Sequence, residues 1–178
     1  MTADRNFKTP SSRETQMTNE PRIFQINASK EGGVPKPALR QAEVDALGIA
    51  GSRVAHPEDH GGPERALCLY ALERILALQA EGHPLYPGSL GENITTVNLD
   101  WERILPGAQL RLGEQVLVEV TRFTSPCETI AASFTGGHYE RISQKRHAGW
   151  SRVYARVLQP GRIQVGDRIG FVTMEMTS

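Results

Sequence analysis

The segment Thr121–Ile130, with the sequence TRFTSPCETI, contains the residue best suited to covalent or metal chemistry, Cys127. It directly follows an alternating run that predicts a strand, which Pro126 is expected to end. If Glu128–Phe134 begins a helix, the thiol lies beside unpaired N–H groups that favour a thiolate, and Arg122 adds positive potential. A thiolate is what both a nucleophile and a soft-metal ligand require. A buried, inert cysteine is the alternative.

A second segment, HPEDHGGPERAL, begins at His56 and combines histidines, glycines and an arginine. His56 and His60 are spaced for a metal pair only on a helix, and the prolines and glycines around them forbid a settled helix. Gly61 and Gly62 allow backbone N–H groups to approach an anion, with Arg65 as its counter-charge. The alternative is a surface loop with two solvated histidines.

A third segment, Tyr86–Thr96 (YPGSLGENITT), collects small and polar residues just before an expected short strand. Asn93 and Thr95 can present donors to a ligand there, but the same residue types are ordinary turn formers. The second cysteine, Cys68, lies in the apolar run Ala66–Leu72 and is expected to be a core residue.

Composition excludes several classes of protein. Lys plus Arg and Asp plus Glu number 20 each, so the formal net charge is zero, which excludes a strongly basic nucleic-acid-binding protein. The 2 cysteines form no CxxC pair, which argues against a disulfide framework, a structural zinc site and an iron–sulfur cluster. No apolar stretch approaches the roughly 18 residues of a membrane span. We therefore expect a soluble, cytoplasmic protein without a nucleic-acid or membrane partner.

The elements that must position these segments are mostly short strands. Alternating apolar residues predict a strand at Arg22–Asn27 and a hairpin over Gln109–Thr121 that turns at Gly113–Glu114. Two further β-rich runs, Trp150–Leu158 and Gly161–Val172, are separated by Pro160 and close the chain.

Helices are few. Helical spacing of apolar residues predicts one helix over Ala71–Gln79, and a polar surface helix is expected over Tyr139–Arg146. Residues 1–20 contain too little apolar surface to offset the entropy of ordering and are expected to be a disordered tail. The rest, residues 21–178, is expected to form one mainly β, barrel-like domain with a few short helices.

Taken in order, four segments resemble the MOSC domain, named for the C-terminal domain of molybdenum cofactor sulfurases. These segments are HGGPERAL at 60–67, GENITT at 91–96, SPC at 125–127 and RVLxxGxIxVGD at 156–167. The resemblance extends from Arg22 to Val172, and it implies a barrel-like fold with a cleft that contains one cysteine.

The resemblance also implies roles for individual residues. Cys127 would either bind the molybdenum of the pterin cofactor or carry sulfur as a persulfide, so it is the expected catalytic residue and metal ligand. The positions expected to bind the cofactor are His60, Gly61, Gly62, Arg65, Glu92, Asn93, Thr95, Arg122 and Ser125. Pyridoxal phosphate binding belongs to the general description of the family only.

Three functions follow as hypotheses. In the first, a molybdenum-cofactor enzyme similar to single-domain bacterial members reduces N-hydroxylated small molecules with electrons from a separate donor protein. In the second, the protein carries sulfur on Cys127, supplied by a cysteine desulfurase, and holds no metal. In the third, it is a pterin- or anion-binding module without catalysis.

Overall fold

The computed structural model describes residues 19–53 and 61–173, and strands dominate both ranges. The eleven strands found in these ranges are β1 Arg22–Asn27, β2 Ala38–Leu39, β3 Gln41–Asp45, β4 Gly48–Ile49, β5 Leu67–Ala71, β6 Ile94–Val97, β7 Gln109–Leu112, β8 Val116–Phe123, β9 Val153–Gln159, β10 Gly161–Gln164 and β11 Ile169–Phe171. The prediction of a mainly β domain is confirmed.

Eight strands form a main sheet in the order β11-β7-β8-β9-β5-β6-β1-β2, and β10-β3-β4 form a small second sheet. Neighbouring strands are antiparallel except β5 and β6, which run parallel. The strand ladders do not close the main sheet into the expected barrel. Instead, a single bridge between Arg22 and Arg168 joins the segment before β11 to the start of β1.

The hairpin β7–β8 shows why the alternation of apolar and polar residues predicted strands here. Leu110 pairs with Val118 and Leu112 with Val116 across the two strands, and all four side chains are buried. Because side chains on a strand alternate between its faces, this spacing of apolar residues places one face of the hairpin against the core. The predicted hairpin and the predicted strand at β1 are confirmed.

Only one α-helix is present in the described ranges, α1 at Leu72–Ala80, and it buries Ile75 and Leu78 against the core. The helix predicted over Tyr139–Arg146 was wrong in type and length, since the structure has a 3-10 turn at Tyr139–Ile142. Ile142 is the one buried residue of that turn, which is too little apolar surface to hold a longer helix against the core.

Two further observations bear on the predictions. Residues 1–18 of the expected disordered tail lie outside the described residues. No helix within the described ranges is long and apolar enough to cross a membrane.

Candidate functional site

A cleft with about 820 Å³ of empty space, its open mouth included, is formed by residues from several elements. The loop after β1, the β3–β4 hairpin, β5, the loop before β6 and the segment after β8 all contribute to its walls. The lining residues with ionisable side chains are Lys36, Arg53, Arg65, Cys68, Cys127, Arg152 and Tyr154.

The cleft is electropositive. Four of its described lining residues are Lys or Arg, and none is Asp or Glu, although the chain as a whole has zero formal charge. A concave surface that carries one sign of charge concentrates ligands of the opposite sign. The cleft is therefore suited to an anionic ligand.

Cys127 lies in this cleft, four residues after the end of β8 at Phe123. It lies directly before a 3-10 turn, Glu128–Ser133, and its carbonyl accepts a hydrogen bond from the Ile130 N–H over 3.2 Å. The thiol is half-buried and makes no hydrogen bond within the described residues. A ligand in the cleft can therefore reach the sulfur.

Of the described residues of the glycine-rich segment, Arg65 and the following Ala66 line the cleft. Arg65 ends a 3-10 turn that begins at Pro63, and its guanidinium carbon lies 6.0 Å from the centre of the Tyr154 ring. Gly61 and Gly62 are described but do not line the cleft. His60, predicted to bind the cofactor, and His56 lie outside the described residues.

Asn93 lines the cleft, yet its side chain is engaged in holding strands together. Its Oδ1 accepts a hydrogen bond from the Cys68 N–H over 3.0 Å, and its Nδ2 donates to the Asn27 carbonyl over 3.2 Å. The Asn93 N–H also donates to the Cys68 carbonyl over 2.7 Å. The amide thus ties β5 to the end of β1 directly beneath the cleft.

Glu92 and Thr95 are fully buried behind the cleft wall and do not line it. Glu92 Oε1 accepts hydrogen bonds from the Gly88 N–H, over 2.7 Å, and from the Thr95 hydroxyl, over 3.1 Å. Its second oxygen, Oε2, has no partner among the described residues. Burial raises the pKa of this carboxyl because low-dielectric surroundings disfavour the charged form.

Two other predicted cofactor residues are not brought to the cleft. Arg122 and Ser125 are exposed and are absent from the cleft lining. Arg122 pairs with Tyr154 between β8 and β9, so its backbone is near the site while its side chain is in solvent.

Sequence reasoning did not assign Arg53 or Tyr154 to the site, and it also missed three further lining residues. Cys68 is buried, as expected of a core residue, but it also lines the cleft, where burial raises the pKa of its thiol. Lys36 stands between two prolines in the loop after β1, and burial lowers the pKa of its ammonium group. Arg152, next to the start of β9, is only 7% exposed.

Arg152 is the most informative of the three. Its Nη1 donates to the Leu90 carbonyl, but its buried Nε–H has no partner among the described residues. Buried donors are nearly always hydrogen-bonded, so this arginine at the cleft wall is suited to complete its bonding with an anion. The sequence signal that could have identified Arg152 is a charged residue directly before a strand of mainly apolar residues.

A sequence profile of the MOSC domain matches residues 56–170, and the chain belongs to this family. YflK of Bacillus subtilis, described as uncharacterized, is 31% identical over 153 residues, which are 84% of this chain and 68% of YflK. YiiM of Escherichia coli is 31% identical over 160 residues, covering 83% of this chain and 68% of YiiM. A protein of Gibberella moniliformis named Reductase is 34% identical over 132 residues, 71% of this chain but only 23% of that protein.

Solved structures agree with the family assignment. The crystal structure of YiiM from Geobacillus stearothermophilus has a TM-score of 0.65 at 25% identity and covers 88% of this chain and 77% of its own. That of E. coli YiiM, at 23% identity, shares the fold with a TM-score of 0.63 and covers 86% of this chain and 71% of its own.

Proposed function

We propose that this protein binds a molybdenum–pterin cofactor and reduces N-hydroxylated small molecules, with Cys127 as the protein ligand to molybdenum. One observation carries the proposal: a reachable thiol lies in a cleft that has four cationic lining residues and no described carboxylate. Membership of the MOSC family and the relative named Reductase support the cofactor class and the reaction type.

The residues present fit such a cofactor. Its phosphate requires cationic donors, and Arg65 and the unpartnered Nε of Arg152 supply them within one cleft. Molybdenum is bound by soft sulfur ligands, and Cys127 offers a thiol in the same space. When bound, the cofactor supplies two-electron redox chemistry at its metal.

A bare metal ion fits less well. The described part of the chain contains no group of three or more His, Cys, Asp or Glu side chains that could hold one. A metal that arrives with its own pterin sulfur ligands needs only one ligand from the protein. The single reachable thiol is consistent with that arrangement.

The electrons are proposed to come from a separate electron-donor protein. The Gibberella relative named Reductase is much longer, since the match covers 23% of it. In the proposed reaction of the present protein, the electrons are delivered by another protein.

A metal-free sulfur carrier is the second candidate. The same cations would stabilise a persulfide anion on Cys127, which a cysteine desulfurase would load. The half-buried position of this thiol favours that function over a purely structural one.

Elemental analysis and intact mass separate these functions. The protein is purified from cells able to make the cofactor, and molybdenum content, protein mass and reduction of an N-hydroxylated base are measured. Stoichiometric molybdenum with reductase activity supports the first proposal. Metal-free protein with one added sulfur atom on Cys127 supports the second. Protein with neither would be a binding module without catalysis and would overturn both.

A further inference from the structure

We propose that Lys36 is the general acid of the cleft, which donates a proton to the leaving oxygen when an N-hydroxylated substrate is reduced. This inference rests on the proposed reductase function. It adds a catalytic residue from the loop after β1, a segment outside the four motifs of the resemblance.

The backbone of Lys36 is held firmly at the cleft wall. Its N–H donates to the Gly88 carbonyl over 2.9 Å. A Cβ atom on Gly88 would lie 2.5 Å from the Lys36 carbonyl oxygen, so the two loops are in close contact there. Next to it, the Ala28 N–H donates to the Pro37 carbonyl over 3.0 Å and fixes the loop to the end of β1. The Lys36 side chain then lines the same cleft as Cys127.

Apart from the Cys127 thiol, which would be bound to molybdenum in the proposed function, the other described lining residues are poor proton donors. They include no carboxyl group and no imidazole, and arginine does not lose its proton in proteins. Burial raises the pKa of Tyr154 to about 12 and also raises the pKa of the Cys68 thiol, so both hold their protons more tightly. Of the described lining residues whose pKa is shifted, Lys36 is the one whose pKa moves towards neutral pH.

Several charged groups face Lys36 from neighbouring elements. Burial is the largest influence and lowers the pKa of its ammonium group, and Arg152 at the start of β9 lowers it further. Cys68 on β5 and Glu92 before β6 act in the opposite direction. A general acid is most effective when its pKa approaches the working pH, which favours a buried lysine over an exposed one.

The proton balance of the reaction requires such a donor. An N-hydroxylated base, R–NH–OH, takes up two electrons and two protons to give R–NH₂ and water. The electrons come from the reduced electron-donor protein. As the N–O bond breaks, Lys36 transfers a proton to the oxygen, so that water leaves and not hydroxide. The lysine becomes a neutral amine and is reprotonated by solvent, and the nitrogen receives its proton from solvent.

Lys36→Arg is the sharpest test because it keeps the positive charge but replaces the ammonium by a group that does not give up its proton. We expect full molybdenum content, an unchanged KM within about threefold and a kcat lowered about 10²–10⁴-fold, the usual contribution of general acid catalysis. The kcat of the wild type should fall as pH rises through the lowered pKa of Lys36, and this fall should be lost in the variant. Lys30→Arg, at an exposed lysine in the same loop, is the matched control and should behave as wild type.

A second readout does not depend on activity. In competitive acylation of the whole protein across pH, the Lys36 amine should become reactive at lower pH than the Lys30 amine. The inference is wrong if the two amines titrate equally, or if Lys36→Arg has the kcat and pH profile of the wild type. Either result would leave the proposed function standing. A variant that loses its molybdenum would identify Lys36 as an anion anchor and overturn the inference as well. A wild type that is free of molybdenum and inactive overturns the proposed function together with this inference.

Discussion

Two loops that carry motifs of the family use their polar side chains differently. In the loop before β6, Glu92 and Asn93 bind backbone N–H and carbonyl groups of neighbouring segments. In the loop after β8, Ser125 and Cys127 make no side-chain hydrogen bond within the described residues, and the Cys127 thiol faces the cleft. The first loop therefore builds the floor of the site, while the second presents its reactive atom. Hydrogen-bond partners distinguish the two where motif resemblance does not.

The largest effect expected from this contrast is at the two cysteines. Cys127→Ser should remove essentially all bound molybdenum or persulfide sulfur, because a hydroxyl is a harder ligand and a poor sulfur acceptor. Its melting temperature should change little, since the thiol is half-buried. Metal content, sulfur content and thermal unfolding are measured together.

Cys68→Ser is the matched control, because this cysteine lies in β5 and is 4% exposed. It should unfold at a lower temperature, owing to a buried hydroxyl, while the folded fraction keeps its cofactor. If Cys127→Ser keeps its molybdenum or sulfur and only melts earlier, Cys127 is a core residue and the contrast between the loops is lost.

The next effect is on stability, at the floor of the site. Asn93→Ala should lower the free energy of unfolding by about 2–4 kcal/mol, because it leaves the Cys68 N–H and the Asn27 carbonyl without their side-chain partner. Urea denaturation measures this. Ser125→Ala, in the loop after β8, should change the same quantity by less than about 0.5 kcal/mol. Similar losses in both variants would contradict the division between floor and reactive loop.

A smaller effect is expected from reversing the charge of two arginines. Arg65→Glu should weaken binding of the anionic pterin about tenfold or more, because Arg65 lines the cleft and the substitution replaces attraction by repulsion. Arg122→Glu should lower occupancy by less than about twofold, since its side chain is exposed and outside the cleft lining. Pterin content of the purified variants is the measurement, and equal losses would show that long-range potential governs binding.

The smallest effect concerns the pH dependence of stability at Glu92. Its pKa in the folded protein is raised above the ordinary 4.5, mainly by burial, so the folded state binds more protons than the unfolded state above that pH. The carboxyl therefore contributes stability at acid pH that is lost as pH rises through its raised pKa. Glu92→Gln stays neutral, and its stability relative to wild type should improve with rising pH by up to about 1.4 kcal/mol per unit.

Denaturation curves of both proteins between acid and neutral pH measure this difference. The opposite trend, with wild type gaining on Glu92→Gln as pH rises, would mean that Arg152 and the hydrogen bonds to Glu92 outweigh its burial.

Local patterns in the sequence were sufficient for much of the fold. The hairpin β7–β8 and the helix α1 each depend on the periodicity of neighbouring residues, and both were predicted. The 3-10 turn at Tyr139–Ile142 was predicted as a longer helix, because its polar residues have helical propensity but little to pack on the core. Closure of the main sheet depends on long-range pairing and was not predictable from strand count.

The candidate site was predictable only in part, because the sheet order decides which residues meet. Cys127 and Arg65 were identified from local chemistry and motif resemblance, and both line the cleft. Lys36 and Arg152 are far apart in sequence and face the same space because β9 pairs with β5 beside the loops after β1 and before β6. The apolar run around Cys68 predicts that this cysteine is buried, but it does not predict that the side chain lines the cleft.

The bridge between Arg22 and Arg168 has a mechanical consequence. The Pro21 carbonyl accepts from the Ile169 N–H over 2.9 Å, and the Ile23 N–H donates to the Asp167 carbonyl over 2.9 Å. The two segments are antiparallel, so the chain leaves the pair in both directions at its Pro21–Ile169 end. A force that pulls Pro21 and Ile169 apart thus loads these bonds one after another and does not shear them together. Under such a force, the pairing around Arg22 and Arg168 therefore opens more readily than it would if its bonds were loaded in shear.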